Sequence, residues 1–243
     1  TCAATDDVTA WCILAVVIAI VKSASLVSAV ISIGLAVLFV LFMLYPVKKW
    51  LEKTSAFLQQ KKRGPKTIVA ISFFVLLLSA LMAEVIGIHA LFGAFLAGVI
   101  MPHEGRHKEL LTDKVEDVSV LLFLPIFFAF TGLRTHIGLL TEGNYWWICG
   151  LIILVAVAGK FGGSLLAAKM VGQSWKDALS IGVLMNTRGL MELVVLNIGL
   201  DLGILTPEIF AMMVLMALTT TLMTGPSLDL INQYLKKRAA PAG

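Results

Sequence analysis

Charge is scarce in this sequence: 14% of its 243 residues are Asp, Glu, Lys or Arg, against 59% apolar residues. With a mean hydropathy of +0.95, that balance excludes an ordinary soluble globular protein and leaves a polytopic membrane chain. Cysteine is equally sparse. Cys2, Cys12 and Cys149 each lie in an apolar run, which excludes a disulfide framework and offers no metal-ligand spacing. The four histidines, His89, His103, His107 and His136, fall at span ends or in loops. No His pair or Ser/His/Asp set therefore lies at membrane depth, which argues against a membrane-embedded hydrolase, and the chain reads as no enzyme. The net charge of +4 comes from lysines in loops between spans, where they act as topology signals rather than as a nucleic-acid surface. A charged n-region and an initiating Met are also missing, so no signal peptide is visible. At ~1.5 Å per residue Asp6 lies only about 9 Å from Thr1, against a half-membrane of roughly 15 Å; with Asp6 and Asp7 near the midplane the first helix begins upstream, and the expected reading is a fragment whose N-terminal helices are missing.

What is abundant is apolar sequence in runs long enough to cross a bilayer. The expected architecture is all-α, a transmembrane bundle of about eight spans: 1–22, 25–46, 67–87, 88–102, 117–139, 145–170, 176–200 and 207–226. The stretch 88–102 is short enough to be re-entrant instead. Charge placement favours a span, because Lys48, Lys49, Lys53, Arg106, Lys108, Lys169, Lys176 and Lys236 then share one side while Lys22 and Arg134 keep the other. That side is the cytoplasm, and the C-terminus lies there. The 47–66 linker and the 228–238 stretch mix lysines with apolar residues and suit helices lying in the interface. Gly93 with Ala97, Ala94 with Gly98, and Gly159 with Gly163 and Ala167 recur at four-residue spacing and predict tight helix pairs.

Against this background a few polar residues stand inside the membrane. Thr5, Asp6 and Asp7 open the apolar run that continues from Val8 to Ile20. Two readings of the aspartates are open: a helix cap at the membrane surface, or buried carboxylates with a function. Lys160 lies near the centre of its span, too deep for easy snorkelling, and needs an anion; Asp6 and Asp7 are available. Arg188 and Glu192 stand four apart on one helical face, where they either neutralise each other or take part in transport. Asn186, Thr187 and Gly189 disfavour a continuous helix there and supply amide, hydroxyl and carbonyl oxygens, as broken transporter helices do at the midplane. Pro125 and Gly132 predict a bend. A carboxylate such as Asp7, in a low-dielectric cavity that water reaches, carries either protons or a cation, and oxygen ligands suit an alkali ion.

Four stretches taken together resemble one family: Thr5-Asp6-Asp7-Val8-Thr9-Ala10-Trp11, then residues 87–98 from Gly87-Ile88-His89 to Ala97-Gly98, then residues 124–134 from Leu124-Pro125 to Leu133-Arg134, then Asn186-Thr187-Arg188-Gly189-Leu190-Met191-Glu192-Leu193. The chain resembles the C-terminal part of the membrane domain of the monovalent cation:proton antiporters, the branch of bacterial sodium or potassium/proton antiporters and plant cation/proton exchangers. The resemblance implies an inverted-repeat fold in which interrupted helices cross at the midplane and a core domain moves against a dimerising scaffold. It assigns Asp7 as the ion-binding carboxylate, Asp6 as partner of Lys160, and Asn186 to Glu192 as the interrupted helix of the second repeat. It implies Na+ or K+ exchange for H+, no cofactor beyond those ions, a homodimer and the cell (inner) membrane. The paired aspartates with their lysine lean towards sodium. A channel or an ion or pH sensor is the alternative use of the same carboxylates.

Overall fold

The computed structural model describes residues 2–22, 26–60, 65–102, 115–142 and 145–239. Side chains at 2–8, 26, 29, 58–60, 65–66, 142, 232 and 234–239 lie outside the described residues, as does the 103–114 part of the expected cytoplasmic loop. The described residues form helices and connecting turns, with no strand among them. Among the described residues six helices are long and apolar enough to cross a membrane, and two shorter apolar helices, Thr9–Lys22 and Ala90–Val99, accompany them. The protein is an all-α polytopic membrane bundle. Its chain divides into two compact units, Thr1–Phe127 and Phe128–Gly243.

In the first unit, α1 (Cys2–Lys22) packs on α2 (Leu26–Phe42), and α2 on α4 (Pro65–Ile86). Between α2 and α3 (Lys48–Gln60) the chain widens into a π-helical turn, Met43–Val47, that contains Pro46. Proline has no N–H to donate and its ring crowds the carbonyl four residues back, and the wider turn accommodates both. The linker helix expected to stand apart in the interface thus continues the preceding span. α4 ends where Gly87 takes φ 92°: its N–H bonds to the Glu84 carbonyl at 3.0 Å, and the Ile88 N–H to that of Ala83 at 3.1 Å. The chain then turns straight into α5 (Ala90–Val99), which returns along α4.

The small residues of α5 allow that close return. A Cβ on Gly93 would lie 2.2 Å from the Ser79 carbonyl oxygen, and the Ser79 hydroxyl donates to the Gly93 carbonyl at 2.6 Å. Trp11 of α1 stacks on Phe95 with ring centroids 5.1 Å apart, which seats α1 on α5. His89 caps α5, its Nδ1 accepting from the Leu91 N–H at 3.2 Å, while a Glu84 carboxylate oxygen accepts from the Ala90 N–H at 2.9 Å. Lys22 lies 3.6 Å from the same carboxylate. His89, expected at a span end or in a loop, is the N-cap of α5.

The second unit starts within α6 (Leu124–Arg134), which follows a π turn at Ser119–Phe123. The irregularity expected at Pro125 is this turn, set just ahead of the proline, whereas the helix runs regularly through Gly132, where a bend was also expected. After the short α7 (Leu139–Glu142) come α8 (Trp146–Val157), a π turn at Ala158–Gly162 and α9 (Gly163–Met170). Then follow α10 (Trp175–Met185), α11 (Leu190–Asp201) and α12 (Pro207–Ala239). Leu140, Cys149 and Met212 form a buried cluster that joins α7 and α8 to α12. The 228–238 stretch, expected as a separate surface helix, is the continuous end of α12. The small-residue face on α8 and α9 also differs from expectation, because a Cβ on Gly159 or Gly163 would meet nothing within 4 Å. The close approach is made instead by Gly182 of α10, where a Cβ would lie 3.1 Å from Phe161.

Candidate functional site

Helix α10 opens on Ser174, whose hydroxyl accepts from the Asp177 N–H at 3.1 Å, and it runs 11 residues before the backbone breaks at 186–189. Helix α11 then continues for 12 residues. At ~1.5 Å per residue each half rises about 16–18 Å, close to half of a ~30 Å hydrocarbon core, so the interruption falls near mid-depth. Such a break frees backbone groups that hydrocarbon cannot satisfy, and it needs partners of its own.

Those partners come from α12. The Thr221 hydroxyl accepts from the Arg188 N–H at 3.2 Å, and it also stands 3.1 Å from the Arg188 carbonyl oxygen. The Thr187 and Thr224 hydroxyls lie 2.9 Å apart. Arg188 Nη1 donates to both Glu192 carboxylate oxygens, at 2.9 and 3.0 Å, with the two side chains 15% and 19% exposed. Gly189 is extended, with φ −100° and ψ −179°, and it opens α11. Asn186 is 4% exposed, and among the described residues its Oδ1 has no hydrogen-bond partner; Arg188 Nε shares that state.

Lys160 occupies the middle of the π turn at Ala158–Gly162 and is half-buried. Its neighbour Phe161 packs on Gly182, which ties the turn to α10. π turns of this kind recur at functional sites. The Thr5, Asp6 and Asp7 side chains lie outside the described residues, although the backbone carrying them belongs to α1. Asn186, Thr187, Arg188 and Glu192 are brought together at the break.

A second polar group was not anticipated from sequence. Arg134, at the end of α6, donates to Asn197 Oδ1 at 3.2 Å and to the Asp201 carboxylate. The Asn197 amide donates in turn to Thr131 Oγ1 at 3.0 Å and to the Leu193 carbonyl at 2.9 Å. Arg134 also lies 5.1 Å over the Phe130 ring. Thr221 and Thr224 were missed as well. The usable signals were the Thr219-Thr220-Thr221 run inside an apolar span, and the four-residue spacing of Asn197 and Asp201.

The chain matches the family described as "Sodium/hydrogen exchanger, transmembrane" over residues 1–233. It belongs to that family. Among similar proteins are Na(+)/H(+) antiporter NhaS4 of Synechocystis sp., 37% identical over 93% of this chain and 55% of its own length; Cation/H(+) antiporter 17 of Arabidopsis thaliana, 38% identical over 92% of this chain and 27% of its own; and K(+)/H(+) antiporter 1 of Saccharomyces cerevisiae, 36% identical over 93% and 26%. The chain spans about half the length of the first and under a third of the other two. Within this sodium/hydrogen exchanger chain, the interrupted α10–α11 pair is the described feature that brings mid-depth polar atoms together.

Proposed function

We propose that this chain is part of a secondary transporter that exchanges Na+ or K+ for H+. The observation that carries the reading is the helix interrupted at 186–189, near mid-depth, with an ion pair between Arg188 and Glu192 and threonine hydroxyls beside the freed backbone. Such a break supplies fixed partial charges and oxygens where lipid would otherwise forbid them. Family membership supports the same reading, and relatives are named for Na+ as well as for K+ exchange.

In this proposal Asp7 is the shared carrier, binding the transported cation or a proton but not both, with Thr5 as an accompanying oxygen ligand. Asp6 and Lys160 are a charge-compensating pair. Arg188 and Glu192 stabilise the break. The working unit is a homodimer in the cell membrane with its C-terminus in the cytoplasm, and the transported ions take the place of any cofactor.

The test is flux in proteoliposomes of the full-length protein. Saturable sodium or potassium flux, driven by an opposing proton gradient and abolished by Asp7→Asn, is the expected result. Undiminished flux in Asp7→Asn removes Asp7 from the mechanism, and flux that neither saturates nor responds to the proton gradient identifies a channel. Lys160→Ala should change the transport current on solid-supported membranes; an unchanged current together with an unchanged melting temperature removes Lys160 from its role.

A further inference from the structure

We infer that Asn186 is a cation-coordinating residue that helps to set which monovalent ion is carried, its side-chain amide oxygen acting as a neutral ligand at the helix break. The role rests on the exchange reading above. Asn186 is 4% exposed, and its Oδ1 accepts no hydrogen bond among the described residues. Buried acceptors in native proteins are almost always satisfied, and one that is not asks for a reason.

The surroundings of Asn186 narrow that reason. The Thr187 hydroxyl meets Thr224, the Arg188 N–H donates to Thr221, whose own proton lies between the Arg188 and Ala217 carbonyls, and Arg188 Nη1 donates to Glu192. Two buried side-chain atoms of the break are left over among the described residues, Asn186 Oδ1 and Arg188 Nε. They are acceptor and donor two residues apart, yet they are not bonded to each other. Of the two, only the oxygen can meet a cation. The cationic charge of Arg188 is answered by Glu192, so the break carries no net positive charge of its own to repel an ion. Asn186 also sits at the carboxyl end of α10, the negative end of a helix dipole, where cations are favoured. An amide carbonyl is a hard, uncharged oxygen of the class that alkali ions take. Because it adds no charge, it leaves the proton count untouched and acts on affinity and on the choice between ions.

The experiment uses the full-length protein in proteoliposomes and in detergent, with Na+, K+ and Li+ as probes. Asn186→Ala and Asn186→Leu should raise the KM for the preferred cation about tenfold, the effect of one lost charge-assisted contact. They should also alter the ratio of Na+ to K+ transport and reduce the cation-induced rise in melting temperature, leaving the charge moved per cycle as in the wild type. Asn186→Asp keeps both shape and oxygen. It should retain cation affinity while shifting the pH profile, and it serves as the decisive variant if the apolar ones fail to fold. Folded Asn186→Ala or Asn186→Leu with wild-type KM, ion preference and cation-induced stabilisation overturns the inference. So does Asn186→Asp that loses cation affinity or keeps the wild-type pH profile. A wild type that exchanges nothing fails one step earlier, at the exchange reading, and takes this role with it.

Discussion

Arg134 holds two residues of α11 at once: it is paired with the Asp201 carboxylate and donates to Asn197 Oδ1 at 3.2 Å. One side chain at the end of α6 thereby fastens the far half of the interrupted helix. The two links differ in environment, since the Asp201 side chain is 59% exposed whereas Asn197 is buried at 7%. Exposed ion pairs are worth little, so Asp201→Asn should cost less than ~1 kcal/mol. Asn197→Ala removes one acceptor and two donations from a buried site and should cost about 1–3 kcal/mol. Thermal melting in detergent reads the order, and an Asp201→Asn loss larger than that of Asn197→Ala would contradict it.

Gly93→Ala should loosen the packing of α4 against α5. The added Cβ would fall 2.2 Å from the Ser79 backbone oxygen, which cannot rotate away, and overpacking of this kind costs roughly 1–3 kcal/mol. Gly98→Ala, five residues away on another face, meets nothing within 4 Å and should leave the melting temperature unchanged. Equal behaviour of the two variants would mean that small residues matter here for helix flexibility rather than for contact.

Arg188→Gln and Glu192→Gln should each damage stability more than the double variant does. Both side chains are mostly buried, and removing one partner strands the other charge, at a cost on the order of 3 kcal/mol. The double variant carries no stranded charge and should melt closer to the wild type. A simple sum of the two single losses would show that the residues do not act as a pair.

Thr221→Val and Thr224→Val keep the side-chain shape and remove the hydroxyls that hold the break. Hydrogen bonds between membrane helices contribute about 0.6–1.7 kcal/mol, so neither variant should unfold the protein. Amide hydrogen exchange at 187–189 should quicken, more in Thr221→Val, because Thr221 bonds the backbone of the break itself while Thr224 meets the break through the Thr187 side chain. Faster exchange confined to the ends of α12 would argue against the clip.

The π turns show where reading by residue type reached its limit. Pro46 and Pro125 announce disturbance in two spans, and the turns at 43–47 and 119–123 answer it. The third turn, around Lys160, has no proline to announce it. The same holds for small residues. Gly93 and Gly159 both head four-residue repeats, yet only Gly93 touches a neighbour, because contact depends on which helix lies opposite.

Composition and spacing alone determined that the chain is a helical membrane protein, where its apolar runs lie, and that a helix breaks around Asn186–Gly189. These follow from local physics: lipid demands internally bonded backbone, apolar length sets a span, and Asn, Thr and Gly interrupt a helix wherever they cluster. Tertiary structure decided which polar groups answer one another: Thr221 with the Arg188 backbone, Thr224 with Thr187, and Arg134 with Asn197 and Asp201. These pairs join residues 33 to 67 positions apart, and in a solvent with no hydrogen bonds to offer, a polar side chain bonds whatever helix packing places beside it.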